Sequence, residues 1–274
     1  MIRLIASDLD DTLLNAQSDL TERTLRALKS AMDAGILVSL SSGRMSEAME
    51  PFAKRIDVNA PMIEYNGALI VDPADGRTLF STAIQAETAL AVARALEEMD
   101  IYFQVYPGRG YFCAHRTPHT AAYEASIRVP CQEVGVSLSR WMQGSMIKML
   151  AIASPEKIDA AQARLRAAFP EGVSFMKSKP HYLEIISQGV DKGAALRALC
   201  AELGVAKDEV MAFGDGQNDA PLLAAAGWGV AVENAAPDCK AAARLIAPAN
   251  TEDGVAQVIE QLLRGDLREA RRAD

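Results

Sequence analysis

Of the 274 residues, 50% are hydrophobic and 23% charged, enough to bury about three quarters of the surface an unfolded chain exposes, as one large domain or two smaller ones. Asp and Glu number 36 against 28 Lys and Arg, for a formal net charge of -8, which disfavours a general binder of nucleic acid or anionic membrane. No apolar run approaches the roughly 18 residues that span a bilayer, and the first residues read as a strand rather than a leader, so an unexported, cytoplasmic protein is expected.

Met1 to Ser7 is an aliphatic run that ends abruptly at Asp8-Leu9-Asp10-Asp11-Thr12, as a buried strand does on meeting a polar loop. Leu25, Leu28 and Met32 then recur at helical spacing behind Thr21, an N-cap residue type, and Gly35 follows at the expected stop. A second apolar run, Ile36 to Leu40, closes at Ser41-Ser42-Gly43-Arg44, and Met45, Ala48, Met49, Phe52 and Ile56 line a second helix. Such alternation implies a parallel sheet.

After Pro61 the pattern changes. Met62 to Tyr65 reads as a short strand, Asn66-Gly67 as a tight turn, and Ala68–Val71 with Thr78–Ser81 as a hairpin around 72–76. From about Ile84 to Ser187 the chain reads as an α+β insertion rich in Tyr and Phe, with strands at Ile101–Tyr106, Tyr111–Ala114, Ser145–Ala153 and His181–Ile186. Alternation resumes at Asp191: a helix ends at Gly204, and Val210–Phe213 runs into Gly214-Asp215-Gly216-Gln217-Asn218-Asp219. The expected organisation is a core from 1–83 and 188–264, an inserted domain at 84–187, and a charged, solvated tail over 265–274. The four cysteines, Cys113, Cys131, Cys200 and Cys239, lack CxxC spacing and read as free thiols.

Three apolar strands thus end in polar clusters, and ligands of open α/β sheets bind outside the carboxyl ends of strands. One cluster alone could be ordinary loop chemistry; three converging make a site. Two like charges about 4 Å apart repel by about 4 kcal/mol at an effective dielectric near 20, so clustered carboxylates call for a divalent cation. With oxygen donors and no His or Cys cluster, that cation is Mg²⁺ rather than zinc. A hard cation in a loop-lined site suggests phosphate, cradled by the Ser42 hydroxyl and the amides near Gly43. Lys192 follows Asp191, itself an N-cap type, so its charge opposes the helix dipole and is best explained by a facing anion.

Asp8-Leu9-Asp10-Asp11-Thr12 resembles the first motif (DxDxT) of the haloacid dehalogenase superfamily. Ser42 resembles its second, Lys192 within Gly189-Val190-Asp191-Lys192-Gly193 its third, and Gly214 to Asp219 its fourth. The match extends from Ile2 to about Leu263. Roughly 30 residues separate Asp8 from Ser42 but roughly 150 separate Ser42 from Lys192. The large insertion therefore resembles that of the Cof-type, subfamily IIB hydrolases. One departure is Ser42, where many relatives carry Thr; the hydroxyl is retained.

The resemblance implies a Rossmann-like parallel-sheet core with an inserted α+β (C2-type) cap over the site. It implies a Mg²⁺-dependent phosphatase of small phosphorylated metabolites, such as sugar phosphates or cofactor monophosphates. By the same resemblance Asp8 is the nucleophile that becomes an aspartyl-phosphate, and Asp10 is the general acid and base, with its backbone carbonyl on the metal. Asp8 and Asp215 are implied Mg²⁺ ligands, with Asp219 direct or through water. Leu9, Ser42, Gly43, Lys192 and Asn218 are implied to hold the phosphoryl oxygens. On an extended strand, Asp8 and Asp10 would share a face.

Other positions stay open between two uses. Arg44 either meets substrate or pairs with an acid, Asn66 either serves the site or only the turn, and Lys148 either points at the leaving group or into solvent. A phosphomutase, and less readily a phospho-accepting regulatory protein, are the alternatives to a phosphatase.

Overall fold

The computed structural model describes residues 1–267. In chain order it contains β1 (Leu4–Ser7), α1 (Glu22–Asp33), β2 (Leu37–Leu40), α2 (Ser46–Ile56), β3 (Met62–Glu64), β4 (Leu69–Val71) and β5 (Thr78–Ser81). There follow α3 (Ala86–Glu98), β6 (Tyr102–Tyr106), β7 (Phe112–Cys113), α4 (Pro118–Ile127), β8 (Gln132–Glu133), α5 (Leu138–Trp141), β9 (Lys148–Ile152), α6 (Pro155–Ala168), β10 (Val173–Lys179) and β11 (Tyr182–Ser187). The last stretch holds α7 (Lys192–Leu203), β12 (Val210–Gly214), α8 (Ala220–Ala225), β13 (Trp228–Val232), α9 (Pro237–Ala242), β14 (Leu245–Ala247) and α10 (Gly254–Arg264). Two compact units result: one from Met1–Gly43, Met49–Phe80 and the chain from Asp191 onward, the other from Arg44–Ala48 and Ser81–Val190. Among the described residues no helix is long and apolar enough to cross a membrane.

The first unit is built on a five-stranded sheet in the order β14-β13-β12-β1-β2, parallel throughout. Buried on both faces, β1 and β12 can be apolar without alternation. Register does the functional work. Ser7 lies opposite Phe213 on one side and opposite Leu40 on the other, so Asp8, the Gly214–Asp215 corner and Ser41–Ser42 emerge at one end of three adjacent strands. The Asp8 amide donates to the Phe213 carbonyl (3.0 Å) and the Ser41 amide to the Ser7 carbonyl (2.8 Å), carrying the pairing to the first residues of the loops.

α1 starts as its sequence predicts: the Thr21 hydroxyl accepts from the Thr24 amide, and Leu28, Ala27 and Ala31 are buried. β3, β4 and β5 form a separate three-stranded sheet. At α7, a Cβ on Gly193 would lie 2.3 Å from the Pro221 carbonyl oxygen, so glycine lets α7 approach α8 closely enough to seat the neighbouring Lys192.

The second unit carries a six-stranded sheet, β10-β11-β9-β6-β7-β8, antiparallel except between β7 and β8. Alternation sorts its residues: Phe103, Val105, Met149, Ala151, Leu183 and Ile185 enter an apolar core with α3 and α6. Met142 and Met146 join that core. Cys113, Cys131 and Cys239 are buried, Cys200 is half-buried, and all four are free thiols.

One expectation is corrected. Asp10 does not continue an extended strand: Leu9–Leu13 is a π-helical turn closed by the Leu14 amide on the Leu9 carbonyl (2.9 Å), with Asp11 at φ 57°. Where the expected tail begins, Gly265 closes α10 in the left-handed region (φ 73°), Asp266 is exposed and Leu267 packs on the apolar core of the first unit. The remainder of that tail, 268–274, lies outside the described residues. Gly193→Ala is expected to cost about 1–3 kcal/mol through overpacking; an unchanged urea midpoint would show that α7 and α8 separate freely.

Candidate active site

The centre of the site is a buried ammonium. Lys192, the first residue of α7, is fully inaccessible, and its Nζ donates to Asp8 Oδ1 and to Asp219 Oδ1, each at 2.6 Å. Asp191 makes this placement possible, because its side chain accepts from the Ala194 amide (2.7 Å) and starts the helix just ahead of the lysine. Asp219 is fully committed: its Oδ2 also accepts from the amides of Asp215 (3.1 Å) and Gly216 (2.9 Å). Gly214 is required where it stands, since a Cβ there would meet the Asp219 Cβ at 2.4 Å.

Asp8, Asp215 and Asp219 each present a carboxylate oxygen within 4.8 Å of the others. Three carboxylates against one ammonium leave two negative charges in a desolvated space. Burial, then the charges of Asp219 and Asp215, push the Asp8 carboxyl well above its usual range, and Lys192 offsets this only partly. Burial likewise raises Asp215 to about 6, opposed by its hydrogen bond from Thr12 and helped by Asp219. Burial works against the Lys192 charge, yet Asp219 and Asp8 outweigh it and hold the ammonium above its ordinary pKa. An oxygen-only donor set with two uncompensated charges fits a hard divalent cation such as Mg²⁺.

Around this centre the other expected residues take up distinct places. Leu9 is buried directly after Asp8, and Asp10 is half-buried in the π-helical turn. Ser42 is buried, its amide donating to the Ile63 carbonyl (2.9 Å) and its carbonyl accepting from the Asn66 amide (3.0 Å). Asn66 sits at φ 59° in a short turn; its Oδ1 accepts from Asn218 Nδ2 (3.0 Å), and a Cβ on Gly43 would press against it at 2.9 Å. Asn66 thus does more than turn the chain, since it ties the Ser42–Gly43 loop to the Gly214–Asp219 loop.

Arg44 and Lys148 belong to the second unit. Lys148 is not a solvent-facing strand lysine. It is 3% exposed and paired with Glu184 at 2.6 Å, its Nζ 5.4 Å from the centre of the Tyr106 ring. Burial opposes its charge, but Glu184 and Tyr123 outweigh that and raise its pKa. The pattern of the strands could have suggested Glu184, because register sets Lys148 opposite Ile186 and Leu150 opposite Glu184, on one sheet face. Thr12 was also missed: its hydroxyl donates to Asp215 Oδ1 (2.8 Å), and no local signal links residues so far apart in the chain.

Two measurements check these electrostatics. With a native pKa of about 6 against 3.8 unfolded, Asp215 favours the folded state when protonated, and that contribution is lost as pH rises through 6. In metal-free protein Asp215→Asn is therefore expected to raise the melting temperature above pH 6, an advantage that vanishes below about pH 4. The same variant should lose most of the Mg²⁺-induced rise in melting temperature. In the second unit, Lys148→Met alone is expected to cost about 3–5 kcal/mol by stranding Glu184, and Lys148→Met with Glu184→Leu to recover most of it, read from denaturant unfolding.

The family described as haloacid dehalogenase-like hydrolase matches residues 5–259. Phosphatase YwpJ of Bacillus subtilis is 30% identical over 288 aligned residues, covering 96% of this chain and 100% of its own. The 5-amino-6-(5-phospho-D-ribitylamino)uracil phosphatase YwtE of the same organism is 29% identical, covering 96% and 99%. A crystal structure of a haloacid dehalogenase-like hydrolase from Bacteroides thetaiotaomicron superposes with a TM-score of 0.89 at 27% identity, over 96% of this chain and 100% of that one. A family match over nearly the whole chain, full-length relatives named phosphatases and a strand-end carboxylate cluster lead to one conclusion: this chain belongs to the haloacid dehalogenase-like hydrolases and is a phosphoric monoester hydrolase.

Proposed function

We propose that the enzyme is a Mg²⁺-dependent phosphatase of small phosphorylated metabolites, sugar phosphates or cofactor monophosphates, working through an aspartyl-phosphate (acyl phosphate) on Asp8. The observation that carries this reading is the geometry of Asp8: buried at the end of β1, with one oxygen, Oδ1, held by Lys192 at 2.6 Å. The other oxygen is left to attack. The small-metabolite class is supported by the name of YwtE, which describes a phosphorylated ribitylaminouracil as its substrate. The mutase and phospho-acceptor alternatives are not carried forward, since the named relatives are phosphatases.

In the first half-reaction Asp8 forms a bond to phosphorus as the bond to the leaving oxygen breaks, and Asp10 gives that oxygen its proton. In the second, water attacks the same phosphorus, Asp10 takes the proton, and the Asp8–phosphorus bond breaks to release inorganic phosphate. Lys192, the Ser42 hydroxyl, the Gly43 and Leu9 amides and Asn218 would hold the phosphoryl oxygens, where positioned charge supplies most of the acceleration. Mg²⁺ would be held by Asp8, Asp215 and the Asp10 carbonyl, with Asp219 acting directly or through water. Its chemistry is neutralisation of charge on the carboxylates and the phosphoryl group. With both its oxygens engaged by Lys192 and two backbone amides, Asp219 is better suited to orienting the lysine and to a water-mediated role.

The test is phosphate release from p-nitrophenyl phosphate and a panel of phosphorylated metabolites with Mg²⁺. Asp8→Asn is expected to lower turnover at least about 10³-fold while remaining folded; retained activity in this variant, or a panel with no substrate, would falsify the reading.

A further inference from the structure

Two carbonyl groups in the first unit are held by a loop with no part in the chemistry above. Residues 233–236 join β13 to α9. From this loop Asn234 Nδ2 donates to the Asp11 carbonyl at 2.7 Å, and the Ala236 amide donates to the Asp215 carbonyl at 2.8 Å. Asn234 Oδ1 in turn accepts from the Asn250 amide (3.0 Å), and the buried Asn250 side chain donates to the Leu14 carbonyl at 2.8 Å. The Asn234 and Asn250 side chains and the Ala236 amide together therefore hold the turn that carries Asp10 and the strand end that carries Asp215.

The turn needs such support. Within Leu9–Leu13 the backbone departs from helix at Asp10 (φ -69°, ψ 131°) and Asp11 (φ 57°, ψ 5°). The left-handed region is uncommon for a residue other than glycine and costs about 1–2 kcal/mol. A carbonyl fixed at Asp11 sets the peptide plane that follows this residue. It resists the relaxation of Asp11 to negative φ, which would rotate the Asp10 backbone and side chain away from their present direction.

We propose that Asn234 is a positioning residue for the proton-transferring carboxyl of Asp10, acting through its hydrogen bond to the Asp11 carbonyl. The proposal rests on the reading of Asp10 as acid and base. Asn234 itself is exposed and outside the apolar core, so its substitution leaves the core intact, and the melting temperature separates an effect on the reaction from unfolding.

The experiment compares kcat/KM for an alkyl phosphate that the wild type hydrolyses with kcat/KM for p-nitrophenyl phosphate, at saturating Mg²⁺. This parameter reports the steps through departure of the leaving group, and p-nitrophenolate leaves without a proton whereas an alkoxide needs one. Asn234→Ala is expected to lower the alkyl value about tenfold and the aryl value less than about twofold, a fraction of the 10²–10⁴-fold worth of a general acid. Its melting temperature should stay within about 2 °C of wild type. Asn234→Asp, which can still accept from the Asn250 amide but cannot donate to the Asp11 carbonyl, should behave like the alanine variant.

Equal loss on both esters, no loss on either, or wild-type behaviour of Asn234→Asp overturns the proposal. Asp10→Asn separates the two layers. If it shows the same ester preference and Asn234→Ala does not, the positioning role alone falls; if Asp10→Asn treats both esters alike, the assignment of Asp10 falls and the positioning role with it.

Discussion

One ammonium shared by two carboxylates organises the strand-end carboxylate cluster of the first unit. Lys192 is fully inaccessible, so its charge is stable only because Asp8 and Asp219 each accept a hydrogen bond from it at 2.6 Å. Those two acids are in turn tolerable side by side only because the lysine stands between them. The contact ties residues 184 positions apart, and every element that delivers them must be in register for it to form. The close approach of α7 to α8 at Gly193, the N-cap at Asp191 and the backbone amides on Asp219 all serve this single geometry.

The residual charge is equally informative. A protein stable for its own sake would not gather three carboxylates around one lysine, because desolvation and mutual repulsion both act against the ionised forms. The arrangement makes sense as a place where positive charge arrives from outside, and the oxygen-only donor set indicates which kind. The three carboxylates could hold a divalent cation.

In the second unit, charge has been used differently. Lys148 and Glu184 neutralise one another inside a sheet face that also carries Tyr106, with Gln104 accepting from the Tyr106 hydroxyl (3.0 Å) and donating to the Tyr102 hydroxyl (2.9 Å). The chain of partners continues to Thr120 of α4 at 2.8 Å. Each polar group here is matched by another, which sets this face apart from the carboxylate cluster of the first unit. A lysine flanked by apolar residues does not by itself name its partner; the pairing of β9 with β11 brings Glu184 to the same sheet face.

From sequence alone, the ends of the apolar runs marked where strands meet polar loops, and the motifs at Asp8, Ser42, Lys192 and Asp215 to Asp219 marked loops that the structure brings to one end of the sheet. Those features are local: an apolar stretch, a cap residue and a turn residue each act within a few positions. The conformation of Asp10 was not legible, because the π-helical turn is held by Asn234 and Asn250, more than two hundred residues away. The same holds for the bond from Thr12 to Asp215 and for the bridge from Asn66 to Asn218. Residue types and their order thus determined the fold class and the reaction class, whereas partners, burial and the direction of each side chain were decided only when parallel strands fell into register and brought distant loops to one edge.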